Sequence, residues 1–480
     1  MAQRRAGRRS KAPNGACLEG AEPRGVRCTS LSPATLIWSD ISPLKPSDEP
    51  LRCSHTRKRF AALTALSGDI LFLASQSVYL ENKYITVIYV VFSPFSASPH
   101  GLTSAKMSTL SDLTTGSCLA EFLHGEEALM NGGSNFITGT LDYLRRPLAA
   151  NIGHGQRVLV LSDFDHDPRV WQAVMTILAD IGAESTLALF ERRPADYYDP
   201  PKAVVEAMMS SDFNILLAST GMLHSTASFN AMQAGIPSIC MDGGMTLEMF
   251  QSGAVTDDMK MIALRKHYVS KNVFGPDPKL CHVTSDHGTD FTYSVEGRIT
   301  CPPLPGESFD PYKIIDFAKD ENRPGNNLLY YLFPTGEFNV APVEGSANGK
   351  LIIDLTMHHI GRLFTPIELT VVDGRVVDID GGPEARILRD YLDAYGDENA
   401  YMCPAEASVG VNAKAVVRGI QREDKNIMGT LHFGLGTNVD VGGTIKSKIH
   451  MDGVILHPTL AVDGVTKIDR GKFLVPIESD

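Results

Sequence analysis

The residues most able to do chemistry lie late in the chain, beginning with His450-Met451-Asp452 in the segment KSKIHMDGVIL. On a strand, residues two apart point to the same face. One imidazole and one carboxylate would therefore converge on a point, a common way to hold a first-row divalent metal. Alone, such a pair is equally served by an ordinary hydrogen bond. Three further segments add to it. GTLHFGLGTN sets His432 in an apolar, Gly-rich run; PAEASVGVN sets Glu406 among small residues; GEFNVAPVEGSANG sets Glu344 between Val343 and Gly345. A carboxylate buried in such surroundings costs several kcal/mol unless a cation or donors compensate it. Glu344, Glu406, His432, His450 and Asp452 together read as a mono- or dinuclear metal site.

The neighbouring His358-His359 lies in a strand-like segment, where successive side chains face opposite ways, so at most one should reach the same site. A pocket wall or a surface position suits them better than a sixth ligand, with an acid/base role open to either. Tyr330, Tyr331 and Tyr401 read as core or pocket-lining aromatics.

Such a site needs a scaffold, and the chain supplies two patterns. From Arg157 the text RVLVLSDFDHDPRVWQAVMTILADIGAESTLALF alternates a continuous apolar strand, a helix opened by Asp167-Pro168 and ended by Gly182, and a second strand. Strand and helix signals repeat through Met241, which predicts a doubly wound parallel sheet over 107–280. Ligands of such sheets bind at the carboxyl ends of the strands. Ser162, Asp163, Asp165 and His166 stand at one end, and Ser219, Thr220 and His224 at another, where caps and turns explain them equally well. Neither GxGxxG nor GxxxxGK[ST] stands there, so a nucleotide role is not expected. From 281 to 480, strands separated by Gly, Asp and Asn turns predict an α+β domain carrying the metal site, with one helix near Glu384–Tyr395.

The 480 residues are 43% hydrophobic and 21% charged, an ordinary globular balance. Residues 1–106 hold 14 basic and 7 acidic side chains. Residues 107–480 hold 30 and 49, a net charge of -19 that repels nucleic acid. No uninterrupted apolar stretch is long enough for a secure membrane helix. The eight cysteines include no CxxC pair and read as reduced thiols in a cytoplasm-like compartment. The Arg- and Ser-rich 1–106 reads as a poorly ordered extension, with organelle targeting as the alternative.

The segments GEFNVAPVEGSANGKLIID, TPIELTVVDGRVVDIDGG, AEASVGVNAKA, REDKNIMGTLHFGLGTN and SKIHMDGVILHPTLAVDG resemble the thermophilic-type metallo-aminopeptidases, often labelled leucyl aminopeptidase or aminopeptidase T. The resemblance spans roughly 157–475. It implies a two-domain α/β enzyme, a homodimer or higher oligomer, Zn, Co or Mn, and metal ligands at Glu344, Glu406, His432, His450 and Asp452. Those peptidases carry a catalytic tyrosine just after the GTLH-like segment, whereas this chain has none near Val439. The sister 2,5-dihydroxypyridine 5,6-dioxygenases, which open a pyridine ring with Fe(II), are similar in TPIELTVVDG, GTNVDVGG and the His-x-Asp pair. Their iron is held by two histidines and one carboxylate, while Glu406 stands here at the place of their first histidine. The leading expectation is therefore a hydrolase in which a metal-bound water cleaves an N-terminal peptide or small amide bond, with Glu344 as base. The alternative is an Fe(II) dioxygenase acting on a hydroxylated heteroaromatic, with His358 or His359 as acid/base. A scaffold without metal would scatter the five candidates.

Overall fold

A computed structural model describes residues 141–306, 309–314, 316 and 329–478, and the backbone of three strands between 57 and 92. Those strands, Arg57–Thr64, Ile70–Leu80 and Lys83–Phe92, pair antiparallel, and the last pairs parallel with Glu184–Phe190. They fall within the 1–106 stretch that reads from the sequence as a poorly ordered extension. The rest of the 1–106 extension lies outside the described residues.

The strand and helix signals from Arg157 to Met241 fold into a parallel sheet covered by helices. Strands Arg157–Asp163, Glu184–Phe190, Phe213–Leu216 and Ser238–Cys240 form a parallel sheet with the 157–163 strand between the 184–190 and 213–216 strands. Alternate residues of its strands enter two separate cores. Val158 and Val160 pack with Val170, Val174 and Leu178 of the Pro168–Ile181 helix. Leu159 and Leu161 pack on the other side with Val204, Met208 and Ala231 of the Lys202–Ser210 and Thr226–Gln233 helices. This two-sided burial is why these strands read as unbroken apolar runs. Asp167 caps the first helix by accepting from Arg169 N, and Gly182 closes it in the left-handed region.

The chain then leaves the sheet and returns to it. After the antiparallel hairpin Leu280–Thr284 and Asp290–Ser294, Tyr330–Leu332 pairs parallel with Ser238–Cys240. One cut at 280 therefore does not separate the sheets. The remaining strands build two antiparallel sheets. The outer one runs from Arg375–Gly381 through Asn348–Ile353 and the 280–294 hairpin to Lys472–Phe473. The inner one orders Glu337–Val340, Ala407–Gly410, Leu431–Gly436, His450–Ile455, Thr356–Met357 and Gly361–Arg362. Phe433 of the inner sheet meets Phe291 and Tyr293 of the outer one at ring-centre distances of 5.5 and 5.7 Å. One face of the inner sheet is thus apolar core, leaving the opposite face for chemistry. The predicted late helix is Pro383–Tyr395. No helix among the described residues is long and apolar enough to cross a membrane. Cys240, Cys281, Cys301 and Cys403 are not joined in disulfides.

Candidate metal centre

The inner-sheet register decides which side chains meet. Glu337 pairs with Gly410, Asn339 with Ser408, Ser408 with His432, Gly434 with Asp452, and Gly436 with His450. Paired residues share a face, as do residues two apart. Glu337, Asn339, Ser408, His432, His450 and Asp452 therefore rise from the face opposite Phe433, and Glu406 joins them one residue before its strand. Gly434 lies among them with no side chain. A Cβ there would stand 3.1 Å from His450 Cε1 and 3.2 Å from Asp452 Oδ1 and Glu406 Cβ.

Two buried groups with metal-ligand geometry result: Glu337, Glu406 and His432, and Glu406, His450 and Asp452, each with its ligand atoms within 4.8 Å of one another. His450 Nε2 is 3.0 Å from Asp452 Oδ1 and 3.4 Å from Glu406 Oε2, while its Nδ1 faces Thr437 O at 2.7 Å. His432 Nε2 is 3.1 Å from Glu406 Oε1 and 3.6 Å from Glu337 Oε2. Four of the five expected ligands therefore converge, and none is exposed.

Glu344 is the exception and is corrected. It lies past the end of the Glu337–Val340 strand, where Arg298 Nη2 pairs with it and Thr444 N donates to its Oε1 at 2.8 Å. Burial would raise its carboxyl, but backbone donors and Arg298 outweigh this and hold it down at about 2. Glu344 ties a turn to the 442–444 loop. Glu337, seven residues earlier in the same GEFNVAPVEG segment, occupies the expected place. Its alternation with Asn339 on a short strand opened by Gly336 was the available signal.

Sequence reasoning also missed the segment Gln421-Arg422-Glu423-Asp424-Lys425. Its single helical turn places Gln421 and Lys425 on one side. Gln421 Nε2 donates to Asp452 Oδ2 at 2.6 Å, and Lys425 Nζ lies 3.2 Å from the same oxygen and 3.1 Å from Glu337 Oε2. Burial opposes charge throughout this cluster, and ion pairing overrides it. The histidines hold the Glu406 carboxyl well below its ordinary range, Lys425 and His450 do the same for Asp452, and Asp452 and Glu406 raise His450.

A cleft of about 480 Å³, counting its open mouth, rises over this face. The parallel sheet supplies the opposite wall through Tyr197, Leu223, His224 and Asp242. His224 Nδ1 is 3.1 Å from Asp440 Oδ2, and its ring lies 4.6 Å from that of His450. Of the strand-end residues, His224 is the one that reaches the cleft. Asp163 is spent on the Ser219 N–H and hydroxyl at 2.6 and 2.8 Å, and His166 on Met245 O at 3.0 Å, as caps and loop ties.

His358 and His359 depart from the strand rule. Both belong to the turn after Met357, and His359 has a φ of 72°. Alternation consequently fails, and His358 Nε2 and His359 Nδ1 each come 3.3 Å from Asp196 Oδ2. His358 lines the cleft; His359 turns away onto the Tyr391 ring at 4.2 Å.

A sequence model of the family described as NicX, 2,5-dihydroxypyridine 5,6-dioxygenase, matches residues 142–475, a span that contains every residue of the cleft. The chain belongs to that family. The 2,5-dihydroxypyridine 5,6-dioxygenase of Pseudomonas putida is 27% identical over 164 residues, 31% of this chain and 45% of the relative, so the chain matches less than half of that relative's length. A solved structure of the Pseudomonas putida KT2440 dioxygenase is similar with a TM-score of 0.52 at 20% identity, covering 70% of this chain and 97% of that one. At that identity the likeness is one of fold. AmpT from Thermus thermophilus is also similar, at 16% identity and a TM-score of 0.48, covering 69% of this chain and 98% of that one. Family membership places this chain in an enzyme family whose model and curated relative are both described as 2,5-dihydroxypyridine 5,6-dioxygenase.

Proposed function

We propose that the chain is a ring-cleaving dioxygenase that uses Fe(II) and O2 to open a hydroxylated nitrogen heteroaromatic. The observation that carries this reading is the family match across 142–475, which contains the entire cleft. It reverses the order of the two expectations, placing the dioxygenase ahead of the amide hydrolase.

The donor set suits a hard to borderline divalent ion. Three buried carboxylates and two imidazoles face one space, and Glu337 Oε2 and Asp452 Oδ1 accept no hydrogen bond there. Iron bound there supplies the reactivity toward O2 that a closed-shell ring lacks by itself. The protein's own part is positioning and proton handling. Tyr197, Leu223, Leu332 and Val441 wall the cleft with flat or apolar surface suited to a planar ring. His358, oriented by Asp196, faces that space and can take the proton of a ring hydroxyl through one nitrogen while the carboxylate steadies the imidazolium. Asp440 places His224 on the other side of the cleft in the same way.

The test is oxygen uptake by anaerobically purified protein reconstituted with Fe(II), using 2,5-dihydroxypyridine as probe. One O2 consumed per ring lost, with no turnover by the zinc-loaded form, is the expected result. Hydrolysis of aminoacyl amides by the zinc or cobalt form without oxygen uptake by the iron form would return the chain to the aminopeptidase reading.

A further inference from the structure

Among the described residues, four buried side-chain atoms of the cleft lining have no partner in hydrogen-bond geometry: Glu337 Oε2, Asp452 Oδ1, His358 Nδ1 and Asp440 Oδ1. Buried polar atoms are nearly always paired, so each exception calls for an explanation. The first two oxygens belong to the candidate metal groups, and His358 Nδ1 is the nitrogen left over once Nε2 is set against Asp196. Asp440 belongs to neither metal-capable group, and its Oδ1 has no such role.

The fold builds this position from the turn Val439–Val441, which follows the Leu431–Gly436 strand and is ended by Gly442 at a φ of 95°. The turn sets Asp440 and Val441 on the cleft. Asp440 Oδ2 is 3.1 Å from His224 Nδ1, and the His224 ring lies 4.6 Å from that of His450. One oxygen is thus fixed, a single imidazole away from the candidate ligands, and the other is unpaired. Burial would raise the carboxyl, but His224 and His450 outweigh it and hold it below its ordinary range. An ionised carboxylate only accepts hydrogen bonds. In an enclosed site an unfilled oxygen is costly, and the group that relieves it must bring an N–H or O–H. The side chains of Leu223, Leu332 and Val441 on the same cleft have nothing to donate.

We infer that Asp440 Oδ1 accepts the ring N–H of a 2-pyridone, the lactam form of a 2-hydroxypyridine, and so selects nitrogen rings in that tautomer over carbocyclic ones. This rests on the dioxygenase reading above and narrows its substrate class. A ring hydroxyl is already assigned to His358, which leaves the ring nitrogen as the donor. The lactim tautomer would bring a nitrogen lone pair to that oxygen, and a benzene ring a C–H, and neither supplies the missing donor. Asp440 is a specificity-determining residue, separate from the proton handling of His358.

The experiment is anaerobic calorimetry on the iron-loaded protein with 2,5-dihydroxypyridine and with hydroquinone, its carbocyclic counterpart with the same two oxygens opposite each other. A hydrogen bond to a charged acceptor corresponds to roughly ten- to hundredfold in affinity. Wild type is expected to bind the pyridine tighter by that factor. Asp440→Asn, whose amide keeps its oxygen for His224 and turns its NH2 to the ring, is expected to bind the two rings about equally, with metal content unchanged. Equal affinities in wild type, or a preference that survives in Asp440→Asn, overturn the inference while leaving the dioxygenase in place. An equal loss for both rings in the variant also overturns it, since Asp440 would then act only by orienting His224. Should the variant fail to fold, the wild-type comparison decides. No binding of either ring to wild type sinks the dioxygenase reading and the inference together.

Discussion

At the scale of single residues, charge and donor inventory separate ligands from look-alikes. Asp452 presents one oxygen to His450 and gives the other to Gln421 and Lys425. Asp452→Ala should therefore remove bound metal, measured by elemental analysis, with the far-ultraviolet circular dichroism unchanged. The His358 side chain lines the cleft and pairs with Asp196, and it is the His358 backbone N–H that meets a candidate ligand residue, at Asp452 O 2.9 Å away. His358→Asn should lower turnover by roughly a hundredfold or more while metal content stays at the wild-type value. Glu344 makes a prediction about stability. Its folded value of about 2 lies below the ordinary 4.5. Its contribution is then fully present above pH 4.5 and fades as pH falls toward 2. Glu344→Gln should cost on the order of 1–2 kcal/mol at neutral pH after allowance for solvent screening, and the difference from wild type in denaturant melts should shrink on acidification. A melt difference independent of pH would remove the Arg298 and Thr444 pairing as its cause.

At the scale of elements, four short strands are held in one register, and a glycine makes their side chains converge. Gly434 faces Asp452 across the ladder, and its missing Cβ leaves room for His450, Asp452 and Glu406 to approach. An added methyl group must displace those three by a few tenths of an ångström, a strain of about 1–3 kcal/mol. Gly434→Ala should therefore weaken divalent-ion binding roughly tenfold or more in calorimetry, and lower the stability of the metal-free protein by no more than that strain. Loss of the fold instead would mean that the glycine serves the ladder, not the site. The turn at 421–425 shows the complementary case. Its four-residue spacing delivers Gln421 and Lys425 to one carboxylate, although nothing in REDKN advertises a site.

At the scale of the whole molecule, the cleft exists because the parallel sheet is clamped over the inner antiparallel one. Arg422 reaches across and donates to Asp242 Oδ1 at 2.5 Å and to Asp242 O at 2.9 Å, and Asp242 also accepts from the backbone N–H of Leu223 at 3.0 Å. Both partners are buried. Removing one charge of such a pair strands the other, so Arg422→Ala should destabilise the protein by about 3–5 kcal/mol in urea melts. It should also loosen the Leu223 wall, raising KM more than it lowers kcat. A change below about 1 kcal/mol would show that the pair is solvated.

Much of this was legible before any coordinates. Continuous apolar strands, Asp167-Pro168 and Gly182 located the parallel sheet, because burial and capping are local and leave local marks. The i, i+2 rule placed His450 and Asp452 together, and isolation among small residues marked Glu406 and His432. Misreadings arose where local rules end. Strand alternation allowed at most one of His358 and His359 at the site, and only His358 lines the cleft, but the left-handed turn at His359, not alternation, separates them and brings both to Asp196. Glu344 stands in the same segment as Glu337, and only strand pairing, which joins segments some seventy residues apart, separates the residue that faces the cluster from the loop tie. Lys425, Arg422 and Asp196 carry no motif. Their roles come from distance and burial between remote segments, and those are properties of the folded chain alone.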